Sequence, residues 1–266
     1  MELLAKKSLG QHFLNSPSVL AKIVEAAALK AGDLVLEIGP GTGILTRALL
    51  NAGAKVVAVE KDDRAYGLIK EKFAKEVSSG SLTIISGDIL ETDKEKIGLS
   101  DKKYSLVANI PYYITGMILE SFLEHEPRPE KMVLLVQKEV AERIVARDGK
   151  ESVLSMSVKA FGQPKIVAKG PRGAFNPPPT VDSAILAIEG ISGNKFAGKS
   201  LEIRLFFTIL KAGFAHKRKY LKSNLKECCT KSDLDEKWLT YNLDEKIRAE
   251  DLSLPQWLNI ASGLDA

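Results

Sequence analysis

The chain of 266 residues has little cysteine: Cys228 and Cys229 stand side by side, and there is no other. An adjacent pair excludes a disulfide framework and fits a reducing compartment. Its three histidines, His12, His125 and His216, are scattered and lack ligand spacing, so no metal is expected. No apolar run reaches the roughly 18 residues of a membrane span. The opening "MELLAKKSLGQHFL" has no apolar core followed by a cleavage site, so no signal peptide is expected and a cytoplasmic location is. An excess of one charge is also missing. The 38 basic and 34 acidic residues leave a net +4.

What is present is a folded composition, 45% hydrophobic and 27% charged, and a clear alternation of elements. Apolar segments at 34–39, 55–62, 82–88, 104–109 and 131–139 read as strands, the last running into a helix. Segments 44–53, 63–76 and 116–125 read as helices. Strands alternating with helices imply a mostly parallel sheet covered on both faces. Strands at 165–170 and 183–190, with no helix between them, imply an antiparallel hairpin at one edge. The expected fold is α/β, doubly wound and Rossmann-like. "GISGNKFAGKS" at 190–200 reads as a linker. Beyond it the pattern is helical, with helices expected at 201–212, 217–229, 232–242 and 255–262. Two domains follow: a catalytic domain at 1–190 and a small all-α domain at 198–266.

"LEIGPGTG" follows the first of these strands and opens a helix. Gly39, Gly41 and Gly43 permit a tight turn and close approach of a ligand. The dinucleotide pattern G-x-G-x-x-G needs glycine where Ile44 stands, which disfavours a dehydrogenase. Glu60, about 20 residues beyond the loop at the end of the next strand, suits ribose hydroxyls. Asp88 ends the strand after that and suits an adenine amine. Glu37, just before the loop, is positioned to brace backbone N–H groups. Carboxylates at successive strand ends share one crevice. A ligand with ribose and adenine but no dinucleotide loop fits S-adenosylmethionine.

The fourth of these strands ends in "NIPYYIT" at 109–115. Pro111 stops the ladder because it has no N–H. Methylating an exocyclic amine requires acceptors that aim its lone pair. The Asn109 side-chain oxygen and the Ile110 or Pro111 carbonyl supply them, and Tyr112 can stack on a base drawn out of its helix. Positioning and oriented dipoles then carry catalysis without a titratable base. "FNPPPT" at 175–180 resembles an Asn-Pro-Pro-aromatic amine-methylation signature, but position 179 is Pro. It reads as a stiff loop, with Phe175 a candidate second stacking ring. "KAGFAHKRKYLKSNLK" at 211–226 has six cations and no acid, which suits a polyanion or a solvated helix face.

With these motifs in place the chain resembles the ribosomal RNA adenine dimethyltransferase family almost end to end. The resemblance is carried by "GQHFLN" at 10–15, "EIGPGTGILT" at 37–46, "VEKD" at 59–62, "GDIL" at 87–90 and "NIPYYIT" at 109–115. It continues through "QKEVAERI" at 137–144, "FNPPPTVDSA" at 175–184, "GFAHKRKYLKSNL" at 213–225 and "RAEDLSLPQW" at 248–257. It implies an enzyme that dimethylates N6 of two adjacent adenosines near the 3′ end of 16S rRNA in the 30S subunit; a monomer is expected. It implies cofactor contacts from His12, Leu14, Gly39, Gly41, Glu60, Asp88, Ile89 and Asn109. Asn109, Pro111 and Tyr112 would serve the target amine, with Tyr113 in support. Phe175, Lys217, Arg218 and Lys219 would touch RNA, the basic domain docking on the ribosome. His12 departs from the asparagine of many relatives, and both residues donate hydrogen bonds. Other readings remain: an assembly or RNA-binding factor with secondary methylation, a 23S rRNA methyltransferase, or a DNA adenine methyltransferase. The last would usually carry Asp/Asn-Pro-Pro-aromatic, which "NIPY" is not.

Overall fold

The β-branched and aliphatic stretches of the first two-thirds of the chain become the strands. A computed structural model describes residues 3–6, 10–99, 103–196, 202–262 and 264. The strands are β1 (Phe13–Leu14), β2 (Leu34–Ile38), β3 (Lys55–Glu60), β4 (Leu82–Ser86), β5 (Tyr104–Asn109), β6 (Lys131–Gln137), β7 (Gln163–Gly170), β8 (Phe175–Asn176) and β9 (Ser183–Glu189). Seven of them form one sheet in the order β4-β3-β2-β5-β6-β9-β7. β4, β3, β2, β5 and β6 run parallel. β9 is antiparallel to β6 and to β7, which makes the edge hairpin that the sequence suggests. The central strands are buried almost throughout, as parallel strands covered on both faces must be. β1 and β8 form a separate antiparallel ladder, Phe13 opposite Asn176 and Leu14 opposite Phe175. Two-residue strands carry no period, so nothing in the sequence announced it.

The helices are α1 (Pro17–Ala27), α2 (Ile44–Asn51), α3 (Asp63–Lys72), α4 (Ala74–Ser78), α5 (Thr115–Leu123), α6 (Lys138–Val145), α7 (Val153–Phe161), α8 (Ile203–Gly213), α9 (Leu221–Leu225), α10 (Lys231–Thr240) and α11 (Leu254–Ala261). α1 was not read from the sequence, although Ser16 caps it and Pro17 opens it. The single helix expected at 63–76 is two, because Phe73 leaves helical geometry (φ −114°, ψ 28°) and turns its ring fully into the core. The helix expected at 217–229 shrinks to α9. Its first three residues are consecutive cations in a turn, and the Leu221 N–H is taken by the Ile247 carbonyl at 2.9 Å.

The chain divides into two compact units, Met1–Ala141 with Gln163–Ile191, and Glu142–Gly162 with Ser192–Ala266. This differs from a boundary at 190–198, because α7 packs with the C-terminal helices. Phe161 on α7 stacks on Phe207 of α8 with centroids 6.1 Å apart, and meets Phe196 at 5.6 Å. Such aromatic pairs, with the burial of their rings, outweigh chain proximity. Residues 197–200 of the expected linker, and residue 201 after it, lie outside the described residues. In the second unit Trp257 is fully buried and stacks on Phe214 at 5.5 Å. A Cβ on Gly213 would lie 2.3 Å from the Trp257 ring, so only glycine fits there.

Candidate active site

In the first unit a cavity of about 280 Å³ opens at the C-terminal ends of β2, β3 and β5. Its floor is the glycine loop. Gly39, Gly41 and Gly43 all have positive φ, at 66°, 56° and 78°. A Cβ on Gly39 would meet no atom within 4 Å, and Gly39 lines the cavity, so the missing side chain leaves room for a ligand against the backbone. On Gly43 a Cβ would lie 2.6 Å from the Phe73 ring, which locks the start of α2 to α3.

The carboxylate that braces this loop is Glu60. Its Oε2 accepts from the Gly41 N–H at 3.0 Å and its Oε1 from the Asp62 N–H at 2.8 Å. Burial raises its pKa, opposed by those N–H bonds. Glu37, the residue expected to do this, does not. Its two oxygens are buried without a hydrogen-bond partner. Burial pushes its pKa up to about 8, with Thr46 offsetting part of the shift though no bond to it closes within ordinary geometry.

Asp88 and Ile89 form the next wall. The Asp88 Oδ1 accepts from the Leu90 N–H at 3.0 Å, and its Oδ2 from the Lys61 ammonium at 2.6 Å. The Lys61 bond holds the Asp88 carboxyl below the usual range. Ile89 is buried against the cavity. A glycine left open, a carboxylate at one strand end, and a second acceptor beside an apolar wall together fit the ribose and adenine of S-adenosylmethionine. Lys61 was not anticipated. Neither were Gly10, Gln11, Phe13 and Met117, which also line the cavity. Asp62 ties Gln11 in: its Oδ2 accepts from Gln11 Nε2 at 3.1 Å and from Arg64 at 2.6 Å. The Arg64 bond draws its pKa down to about 2. His12 was expected at the cofactor and lines the cavity; Gln11, its neighbour in "GQHFLN", had no expected role.

At the other side stands the β5 end. The Asn109 Nδ2 donates to the His12 carbonyl at 3.1 Å, which leaves its Oδ1 as an acceptor on the cavity. Pro111, at φ −56°, precedes a 3-10 turn over Tyr112–Ile114, and its carbonyl accepts from the Ile114 N–H at 3.2 Å. The Tyr112 hydroxyl bonds the Ser183 hydroxyl at 2.7 Å. Its ring lies nearly parallel to His12, centroids 6.0 Å apart and planes at 23°. The His12 Nδ1 is 2.9 Å from the Pro177 carbonyl, so the proline loop at 177–179 sets the imidazole.

Two expected residues sit elsewhere. The Leu14 side chain turns into the hydrophobic core rather than the cavity. Phe175, opposite it in the β1–β8 ladder, is 3% exposed in the same core, so here its ring offers no face to a base. In the second unit Lys217 and Arg218 are exposed. Lys219 approaches Glu227 at 3.8 Å. Lys222 is spent on Asp235 and Glu245, at 3.0 and 2.6 Å. Among the described residues no helix is long and apolar enough to cross a membrane, and no group of three His, Cys, Asp or Glu is placed to hold a metal.

A family model described as ribosomal RNA adenine dimethylase matches residues 3–266. The chain is 44% identical over 257 residues to a ribosomal RNA small subunit methyltransferase A of Dehalococcoides mccartyi, covering 96% of this chain and 87% of that one. Among solved structures it is similar to a dimethyladenosine transferase from Plasmodium falciparum, with TM-score 0.79 and 31% identity over 94% of this chain and 96% of the other. It is also similar to the 23S rRNA methyltransferase ErmE, with TM-score 0.73 and 25% identity over 94% and 98%.

Proposed function

The chain belongs to the ribosomal RNA adenine dimethylase family, and from that premise we propose that it dimethylates N6 of two adjacent adenosines near the 3′ end of 16S rRNA, within the small ribosomal subunit. It is an S-adenosylmethionine-dependent rRNA adenine dimethyltransferase. The observation that carries the reading is the Asn109 amide in the cavity wall, its nitrogen spent on the His12 carbonyl at 3.1 Å so that its oxygen is left to accept.

When bound, S-adenosylmethionine supplies an electrophilic methyl group. Glu60, with Gly39 and Gly41, holds the ribose end. Asp88 and Ile89 hold adenine. His12 and Asn109 would hold the methionine end, with Leu14 placing β1 from the core. The Asn109 Oδ1 and the Ile110 carbonyl accept the two N–H bonds of the target amine, the Pro111 carbonyl being engaged in its own turn. Two acceptors favour a tetrahedral nitrogen whose lone pair points at the methyl group. Tyr112, fixed by Ser183, stacks on the extruded base. The proton that N6 loses on methylation passes to water, so no side chain needs to titrate. The protein acts as a monomer in the cytoplasm without a metal. Lys217, Arg218 and Lys219 contact rRNA phosphates, and the second unit docks on the ribosome.

The test is methyl transfer from labelled S-adenosylmethionine to unmodified 30S subunits, 50S subunits, naked 16S rRNA and duplex DNA. Dimethyladenosine only with 30S-type particles is expected. Label on 23S rRNA would move the chain to the branch of the ErmE-like enzymes. Tight 30S binding without transfer would make it an assembly factor.

A further inference from the structure

Two tyrosines stand side by side at the cavity, and the fold treats them oppositely. Tyr112 is half-buried, bonded to Ser183 and laid over His12. Tyr113 is 60% exposed, and Met117, one helical turn on, is 46% exposed. Both line the cavity, so their exposed surface is its rim rather than a stray patch. The Tyr113 ring is backed: a Cβ on Gly10 would touch its Cδ1 and Cε1 at 3.4 Å. A rigid ring with one side supported and the rest in water costs little entropy to bind against. The side chain of Lys61, 60% exposed, stands on the same rim. Its ammonium is held above the usual range, chiefly by its bond to Asp88, with the Tyr113 phenol among the smaller contributors. An aromatic face beside a cation is the arrangement that takes a base and its phosphate from a single strand.

We propose that Tyr113 and Met117 form a second base platform, next to the methylation site, for the nucleotide adjoining the target adenosine in the RNA strand. The inference rests on the reading above. Extruding one base from a stack leaves its neighbour without a stacking partner. Tyr113 offers that neighbour a face while Tyr112 takes the target. Consecutive residues thereby serve consecutive nucleotides, which suits an enzyme acting on two adjacent adenosines. Lys61, on the same rim, adds positive charge beside this platform while its ammonium bonds Asp88.

The test uses the full chain with unmodified 30S subunits, comparing Tyr113→Leu, Tyr113→Phe and Met117→Ala. Leucine keeps bulk against Gly10 but loses the ring, and phenylalanine keeps the ring. Tyr113→Leu is expected to raise KM for the subunit about tenfold, the scale of one lost base stack. The calorimetric Kd for S-adenosylmethionine should stay within about twofold of wild type. Tyr113→Phe should restore KM, and Met117→Ala should raise it less than Tyr113→Leu. A Tyr113→Leu KM within twofold of wild type overturns the platform, as does a parallel loss of cofactor affinity, which would make Tyr113 a wall of the cofactor site. If wild type transfers no methyl group at all, the enzymatic reading falls first and the platform with it.

Discussion

At Asn109 one amide does two jobs. Its nitrogen is spent on the His12 carbonyl, which leaves its oxygen as the acceptor on a residue that lines the cavity. Asn109→Ala removes an oriented acceptor and leaves the Glu60 and Asp88 contacts intact. Transfer should fall by at least about 100-fold, as for other preorganised dipoles, while calorimetric cofactor affinity holds within about threefold. Glu37 is a residue of the opposite kind, buried and unpartnered. Its folded pKa is raised to about 8, so the fold prefers the protonated form. The stability linked to that proton is complete below the unfolded value near 4.5 and is lost as pH rises toward 8. The loss is at most about 1.4 kcal/mol per pH unit. Glu37→Gln should therefore match wild type at pH 5 and melt above it at pH 8.5 in thermal denaturation. A constant difference across that range would refute the assignment.

Among elements, the glycine loop joins β2 to α2, packing on the core at Gly43 and lining the cavity at Gly39 and Gly41. Its two ends separate those roles. A methyl at Gly43 drives into Phe73 and Ile69, at 2.6 and 2.7 Å, so Gly43→Ala should destabilise the fold by about 2 kcal/mol or more in urea titrations. A methyl at Gly39 enters open cavity space, though still at φ 66°. Gly39→Ala should cost less stability, about 1 kcal/mol of strain, and more cofactor affinity, roughly tenfold. Equal effects of the two changes on stability and binding would dissolve the distinction. The β1–β8 ladder is the other element that matters, because it carries His12 to Asn109 and leaves Leu14 and Phe175 as core.

On the scale of the whole molecule, the basic run at 211–226 is only partly available. Lys222 is paired with two acids and lies over the Trp238 ring, whereas Lys217 and Arg218 remain exposed. Changing Lys217, Arg218 and Lys219 together to Glu should weaken 30S binding, with the log–log salt slope falling by roughly 2 to 3. Cofactor affinity should not move. Unchanged binding across a salt series would remove this surface from the RNA interface. Much of the fold was legible beforehand, because period, caps and glycine turns are local: β2 to β6, α2, α5 and the β7/β9 hairpin fall where the pattern puts them. α7 shows the limit. It was not read from the sequence; Ser152 caps it in the structure, and Phe161 against Phe196 and Phe207 assigns it to the second unit.

The same division runs through the site. The sequence by itself determined the glycine loop, the carboxylates at the strand ends and the Asn-Ile-Pro-Tyr turn, since each follows from neighbours a few residues away. Only the tertiary structure decided that Glu60 rather than Glu37 holds the loop, that Phe175 is core while Tyr113 is rim, and that Lys61 reaches Asp88. Each of those outcomes depends on a partner brought close by folding. Burial and hydrogen bonding act through space, and chain order alone does not record them.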